Sequence, residues 1–90
     1  MKELSLKIYG VVQDVSFRYY AKQKAQALGL TGWVRNESDG TVKAVAQGAK
    51  ADLEVFLNWC AEGSYQAKVE KIEASFEKPG ALYRSFEIRR

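Results

Sequence analysis

Apolar and polar positions alternate from the first residues onward. Leu4, Leu6 and Ile8 face one way, Glu3, Ser5 and Lys7 the other; this is the period of a half-buried strand and predicts one over residues 2–9. The period then lengthens. Phe17, Ala21, Ala25 and Leu28 recur at helical spacing, predicting a helix from 16 or 17 to 28 with Gly29 as its C-terminal stop. Gly32-Trp33-Val34-Arg35-Asn36 reads as a second strand, and Glu37-Ser38-Asp39-Gly40 as a hairpin turn whose glycine supplies positive φ. Over 41–47, Val42, Ala44 and Ala46 alternate with Thr41, Lys43 and Gln47 in a third strand, which Gly48 breaks. Leu53, Phe56, Leu57, Cys60 and Ala61 mark one face of a second helix over 50–62, closed by Gly63. A fourth strand over 69–77 carries Ile72, Ala74 and Phe76 on one side. Lys78-Pro79-Gly80 is a turn, and 85–89, with Phe86 and Ile88, is a short last strand.

The element order β-α-β-β-α-β plus a terminal strand is the α+β, ferredoxin-like split βαβ pattern. Right-handed crossovers make the first two strands parallel with a gap between them, which the third fills antiparallel. The expected sheet order is 4-1-3-2, with both helices on one face and the fifth strand at an edge. A chain of 90 residues is expected to form a single domain over 1–90.

Composition narrows the chemistry. The basic residues behind the net charge of +3 are scattered, so charge alone does not point to nucleic acid. With no histidine and one cysteine, Cys60, zinc and haem sites are not expected, and no cofactor is. That lone cysteine, on the apolar face of the second helix, reads as a small buried hydrophobe and fits a reducing cytoplasm. No apolar run reaches the ~20 residues of a membrane span, and no signal-peptide core is visible.

Between the first strand and first helix runs Gly10-Val11-Val12-Gln13-Asp14-Val15-Ser16-Phe17-Arg18. A loop entering a helix N-terminus presents backbone N–H groups, and the helix dipole adds partial positive charge, which outlines an anion site. Arg18, in or beside the first turn, opposes that dipole; its guanidinium suits a phosphate instead. Because the first two strands are parallel, Asn36 ends on the same sheet edge as this loop. A carboxamide there can orient a water beside a bound phosphate. Anion cradle, bidentate cation and water-positioning amide together point to hydrolytic phosphoryl transfer. No general acid is evident, which favours a leaving group already stable as an anion, such as a carboxylate.

Two signatures carry a family resemblance. Ile8-Tyr9-Gly10-Val11-Val12-Gln13-Asp14-Val15-Ser16-Phe17-Arg18, and Gly32-Trp33-Val34-Arg35-Asn36 followed by Gly40, Val42 and Gly48, closely resemble those of the acylphosphatases, small cytosolic enzymes of this fold. The resemblance extends to the Ser85-Phe86-Glu87-Ile88-Arg89 ending. It implies hydrolysis of a carboxyl–phosphate anhydride to carboxylate and inorganic phosphate without metal, in a cytoplasmic monomer that engages neither nucleic acid nor membrane. By resemblance Arg18 binds phosphate, Asn36 positions the attacking water, and the amides of Gln13, Asp14, Val15, Ser16, Phe17 and Arg18 form the cradle. One position departs from the pattern: Asp14 stands where the family's loop nearly always has glycine. A carboxylate ~5 Å from a phosphate costs about 3 kcal/mol per unit charge pair at an effective dielectric of 20, and roughly 1 kcal/mol more if the position requires φ > 0.

Three rival readings follow. A weakly active or inactive anion-binding relative is the consequence if Asp14 disables the cradle. An RNA-binding module shares the topology, but the third strand has no stacking aromatic and only Tyr9 on the first is placed to serve. A carbamoyl-phosphate-handling domain of a larger hydrogenase-maturation protein would bring further domains, which a chain of this length is not expected to have. Gln13 either steadies the loop through its amide or faces solvent. Trp33 and Trp59 read as packing, Gly32 and Gly48 as backbone punctuation, and Lys22, Lys24, Arg89 and Arg90 as solvated charge.

Overall fold

A computed structural model describes Met1–Arg90. Its elements are β1 (Lys2–Val11), α1 (Phe17–Ala27), β2 (Thr31–Asn36), β3 (Val42–Gly48), α2 (Lys50–Glu62), β4 (Lys68–Glu77) and β5 (Phe86–Arg89). They match the sequence expectation to within a residue or two, β1 running two residues further. The sheet order is β4-β1-β3-β2-β5. All neighbours are antiparallel except β2 and β5, which pair in parallel and make the sheet mixed. The β1–α1–β2 and β3–α2–β4 units bring both helices to one face, α1 over β2 and β5, α2 over β4, β1 and β3.

The alternation of β1 decides which face that is. Leu4, Leu6 and Ile8 are buried and lie beside Ala46, Ala44 and Val42 of β3. Those residues meet Phe17, Ala21 and Ala25 of α1 and Leu53, Phe56 and Cys60 of α2 in one core cluster. Cys60 is the buried hydrophobe its position predicts, and burial pushes its thiol pKa far up. Ala61, expected on the same stripe, is exposed; the buried stripe is only three residues wide, with Leu57 at its margin. Ile72, Ala74 and Phe76 face the core side, yet only Ile72 is half-buried, since β4 is an edge strand that α2 covers incompletely.

The opposite, open face is less bare than alternation implies. The 78–85 connection crosses from the β4 edge to the β5 edge and buries Gln47, which retains 1% of its surface. The Gln47 amide donates to Glu3 Oε1 at 2.8 Å and to the Ala81 carbonyl at 2.6 Å, and its oxygen accepts from the Tyr83 N–H at 3.1 Å. Gln47 therefore fastens the strap that delivers β5 beside β2.

Candidate active site

Register fixes the site's width. Val42 lies opposite Ile8 in β1 and opposite Asn36 in β2, so the ends of those two parallel strands are separated by one strand, about 10 Å. Gly10 leaves β1 through a bulge against β4, at φ 127, where a Cβ would collide with the Lys68 carbonyl. Glycine is required there by close approach of two backbones.

The loop is pegged at both ends. Val12 and Phe17 are buried in the core, and Phe17 packs on Trp59 with ring centroids 5.4 Å apart. Between them the Gln13 amide nitrogen donates to the Glu37 carbonyl at 2.8 Å and to the Thr41 carbonyl at 2.9 Å. Of the two roles open to Gln13, steadying the loop is the one observed. It clamps the loop to the hairpin that begins at Asn36. On the other flank the Ser64 hydroxyl donates to the Val15 carbonyl at 3.4 Å. Ser64, just past the end of α2, had no signal in the sequence, because only tertiary packing brings it beside residue 15.

What the loop leaves unpaired is more telling. No backbone N–H from Gln13 through Arg18 donates to a protein acceptor. Ser16, the N-cap of α1, makes no side-chain cap, so the donors of the first turn stay available. The only non-glycine residues with positive φ in the chain are Asp14 and Ser16, both at φ 60. Backbone strain of this kind, confined to one segment, marks sites where presented amides matter more than local stability. Asp14 is thus in the conformation that glycine adopts freely and that aspartate tolerates better than most residues; its side chain is exposed and makes no hydrogen bond or ion pair.

Arg18 is the second residue of α1, half-buried, and α1 packs on β2 and β5. Its only protein partner is the Arg89 carbonyl, in a long contact of 3.5 Å from Nη1. No carboxylate pairs with it, which leaves most of the guanidinium fork uncommitted. Asn36 shares the helix-facing side of β2 with Val34. Its Oδ1 is buried and has no hydrogen-bond partner, the single such side-chain atom in the molecule. A buried acceptor without a partner costs about 1–3 kcal/mol, and a water or ligand at this edge would satisfy it. The sequence-predicted residues therefore converge on one edge: loop amides and Arg18 from one strand end, Asn36 from the other. Phe17 contributes only its backbone, its ring being core.

Comparison with known proteins identifies the family. The acylphosphatase family profile matches residues 4–88. An acylphosphatase of Acaryochloris marina is 42% identical over 87 residues, which cover 97% of this chain and 92% of the relative. The crystal structure of acylphosphatase from Bacillus subtilis agrees with a TM-score of 0.96 at 31% identity, with 100% of both chains covered. Full-length HypF, solved in a phosphate- and nucleotide-bound form, matches with a TM-score of 0.89 at 27% identity over 99% of this chain but 12% of its own. The chain belongs to the acylphosphatase family.

Proposed function

We propose that the protein hydrolyses the carboxyl–phosphate anhydride of acyl phosphates, with the phosphoryl group held by the amides of 13–18 and the Arg18 fork, and water held by Asn36. The observation that carries this reading is the buried, unpartnered Asn36 Oδ1 on the same edge as a row of unpaired amides and an arginine without a carboxylate. The loop donors neutralise charge on the equatorial oxygens, where a phosphoryl-transfer transition state spreads it. Oδ1 accepts a hydrogen bond from water and turns its lone pair toward phosphorus. The new O–P bond forms as the bond to the acyl oxygen breaks, and that electron pair leaves on a carboxylate. The water's proton passes to a phosphoryl oxygen. Since the leaving carboxylate needs no proton, the lack of a general acid beside the cradle is no obstacle.

Products are a carboxylate and inorganic phosphate, and none of these steps draws on a metal or cofactor. The working form is a cytoplasmic monomer with all 90 residues in one domain; the single cysteine and small size support that reading. Phosphate release from acetyl phosphate, with and without a chelator, is the test. Turnover unaffected by chelation is expected. Phosphate binding without turnover would favour the non-catalytic, anion-binding alternative that Asp14 raises.

A further inference from the structure

The turn that follows α2 is built against the phosphate loop. Gly63 closes the helix at φ 84, its N–H donating to the Trp59 carbonyl at 2.8 Å, and a Cβ there would press on Val69 and Ala67 at 3.0 and 3.2 Å. Ser64 comes next, its own carbonyl accepting from the Ala67 N–H at 3.0 Å. Backbone bonds on either side thus fix where Ser64 stands. Its side chain is one of three buried polar ones; the other two, Thr41 and Gln47, tie down the hairpin and the strap. The Ser64 hydroxyl makes a single protein bond, to the Val15 carbonyl at 3.4 Å.

That bond falls on a strained peptide. In a trans peptide the C=O and the following N–H point in opposite directions, so whatever holds the Val15 carbonyl aims the Ser16 N–H away from Ser64. This N–H has no protein acceptor. Ser16 also stands at φ 60, a left-handed conformation that costs a non-glycine residue free energy. Rotating the 15–16 peptide by about 180° would bring Ser16 to a φ of about −120, where L-residues are unstrained. The rotation leaves the Ser16 carbonyl on the Tyr20 N–H, so the helix does not resist it. It would, however, put the Val15 carbonyl where the N–H stood and turn a lone pair on a bound dianion. We infer that Ser64 is a positioning residue for phosphate: its hydroxyl opposes this flip and keeps the Ser16 N–H aimed into the cradle. The inference rests on the hydrolase reading above, in which the loop amides hold the phosphoryl group.

Amide NMR during phosphate titration, beside phosphate inhibition of acetyl phosphate hydrolysis, tests it. In the parent the Ser16 amide should shift as inorganic phosphate binds; binding that moves other loop amides and leaves Ser16 in place overturns the inference without any variant. Ser64→Ala should raise the phosphate Ki and KM by about fivefold, the scale of one hydrogen bond. Since the ligand selects the unflipped loop, kcat at saturation should hardly change. Ser64→Thr, which keeps the hydroxyl, should recover the parent Ki. In a Ser16→Gly background the effect of Ser64→Ala should shrink to about twofold or less, because glycine has no left-handed strain to relieve. An unchanged Ki in Ser64→Ala overturns the role, as does a loss that Thr does not recover or that is as large with Gly at 16. Each of those results leaves the hydrolase reading standing if the parent turns over acetyl phosphate; a parent that neither hydrolyses it nor binds phosphate overturns both.

Discussion

Two surfaces of this small sheet treat their polar groups in opposite ways. On the open face, away from the helices, they find partners. Lys7 pairs with Asp39 at 3.0 Å, Tyr9 donates to Glu73 at 2.6 Å, Arg35 pairs with Glu37 at 2.9 Å, and Trp33 Nε1 donates to Tyr83 at 3.2 Å. Arg35 and Arg89 stack over the Trp33 ring at 4.9 and 4.7 Å. Partnering shows in the titration of these groups, since hydrogen bonding to Tyr9 lowers the Glu73 pKa and raises that of Tyr9. At the edge where β1 and β2 end, the loop amides and Asn36 Oδ1 wait without partners, and Arg18 has only its long contact to the Arg89 carbonyl. Exposed ion pairs contribute little to stability, and unpaired buried acceptors subtract from it. The charged face, which looks busier, is chemically satisfied; the sparse edge is where a ligand gains most.

The sharpest way to break this contrast is to remove the two side chains of the edge, Arg18 and Asn36, separately. Arg18→Ala should lower kcat/KM by about 100-fold or more, as expected for loss of a charged transition-state donor, and weaken inhibition by inorganic phosphate. Lysine should restore only part, since it lacks the planar fork. Asn36→Ala should lower kcat while leaving the phosphate Ki nearly unchanged. It should also leave Tm the same or higher, because the buried Oδ1 it deletes has no bond to lose. Steady-state kinetics with phosphate as inhibitor, and melting of both variants, read all of this. Equal losses of phosphate affinity would sink the assigned division of roles.

Gln13 joins the two sides of the contrast, because its amide reaches the hairpin carbonyls of Glu37 and Thr41. Gln13→Ala removes two hydrogen bonds to carbonyls that keep backbone partners, the Gly40 N–H on Glu37 and the Glu37 N–H on Thr41, and should cost about 0.5–1.5 kcal/mol per bond, a Tm drop of about 4–8 °C per kcal/mol in a domain of this size. The turnover number should fall with it as the loop loses its register to Asn36. Unchanged kcat in a destabilised variant would make the clamp purely structural.

What sequence alone revealed follows from the range of the forces involved. The strand, loop and helix over 2–28 were legible because period and punctuation are local, and Asn36 came within reach because two parallel strands must end on one edge. Gln47 was read as the polar side of β3; it is buried because the 78–85 strap lies over it, a contact that no local period encodes. The bonds of Gln13 across 24 and 28 residues, and of Ser64 to the loop, were invisible for the same reason. The positive φ at Asp14 was legible only through the glycine that the family pattern puts there.

Asp14 tests whether the edge is as receptive as its free amides imply. Its carboxylate is exposed in a loop that presents donors to a dianion, so Asp14→Gly should raise kcat/KM by about tenfold for every 1.4 kcal/mol of repulsion or strain relieved. Asp14→Asn separates the two causes. Asparagine tolerates left-handed backbone much as aspartate does but carries no charge, so a gain shared by both variants is electrostatic and one confined to glycine is conformational. No gain in either means that the carboxylate points away from the phosphate.

The smallest effect belongs to the satisfied face. Asp39 accepts from the Thr41 hydroxyl at 2.6 Å and the Thr41 N–H at 3.0 Å. Those bonds, in that order, and then Lys7 hold its carboxyl down at about 2. A folded-state pKa below the unfolded value of about 3.9 means that the ionised form favours folding. The contribution is therefore complete above about pH 4 and is lost as pH falls through 2. In Asp39→Ala the Tm deficit relative to the parent should be constant from neutral pH down to about 5 and shrink between pH 4 and 2. Because the side chain is half exposed, the deficit should be slight and weaken with salt. At neutral pH, kcat and the phosphate Ki should match the parent, as this carboxylate lies outside the reacting edge. Thr41 links the two surfaces, offering its hydroxyl and N–H to Asp39 and its carbonyl to Gln13. A changed phosphate Ki in Asp39→Ala would show that the hairpin transmits between them, and the division into a satisfied face and a waiting edge would fail at that residue.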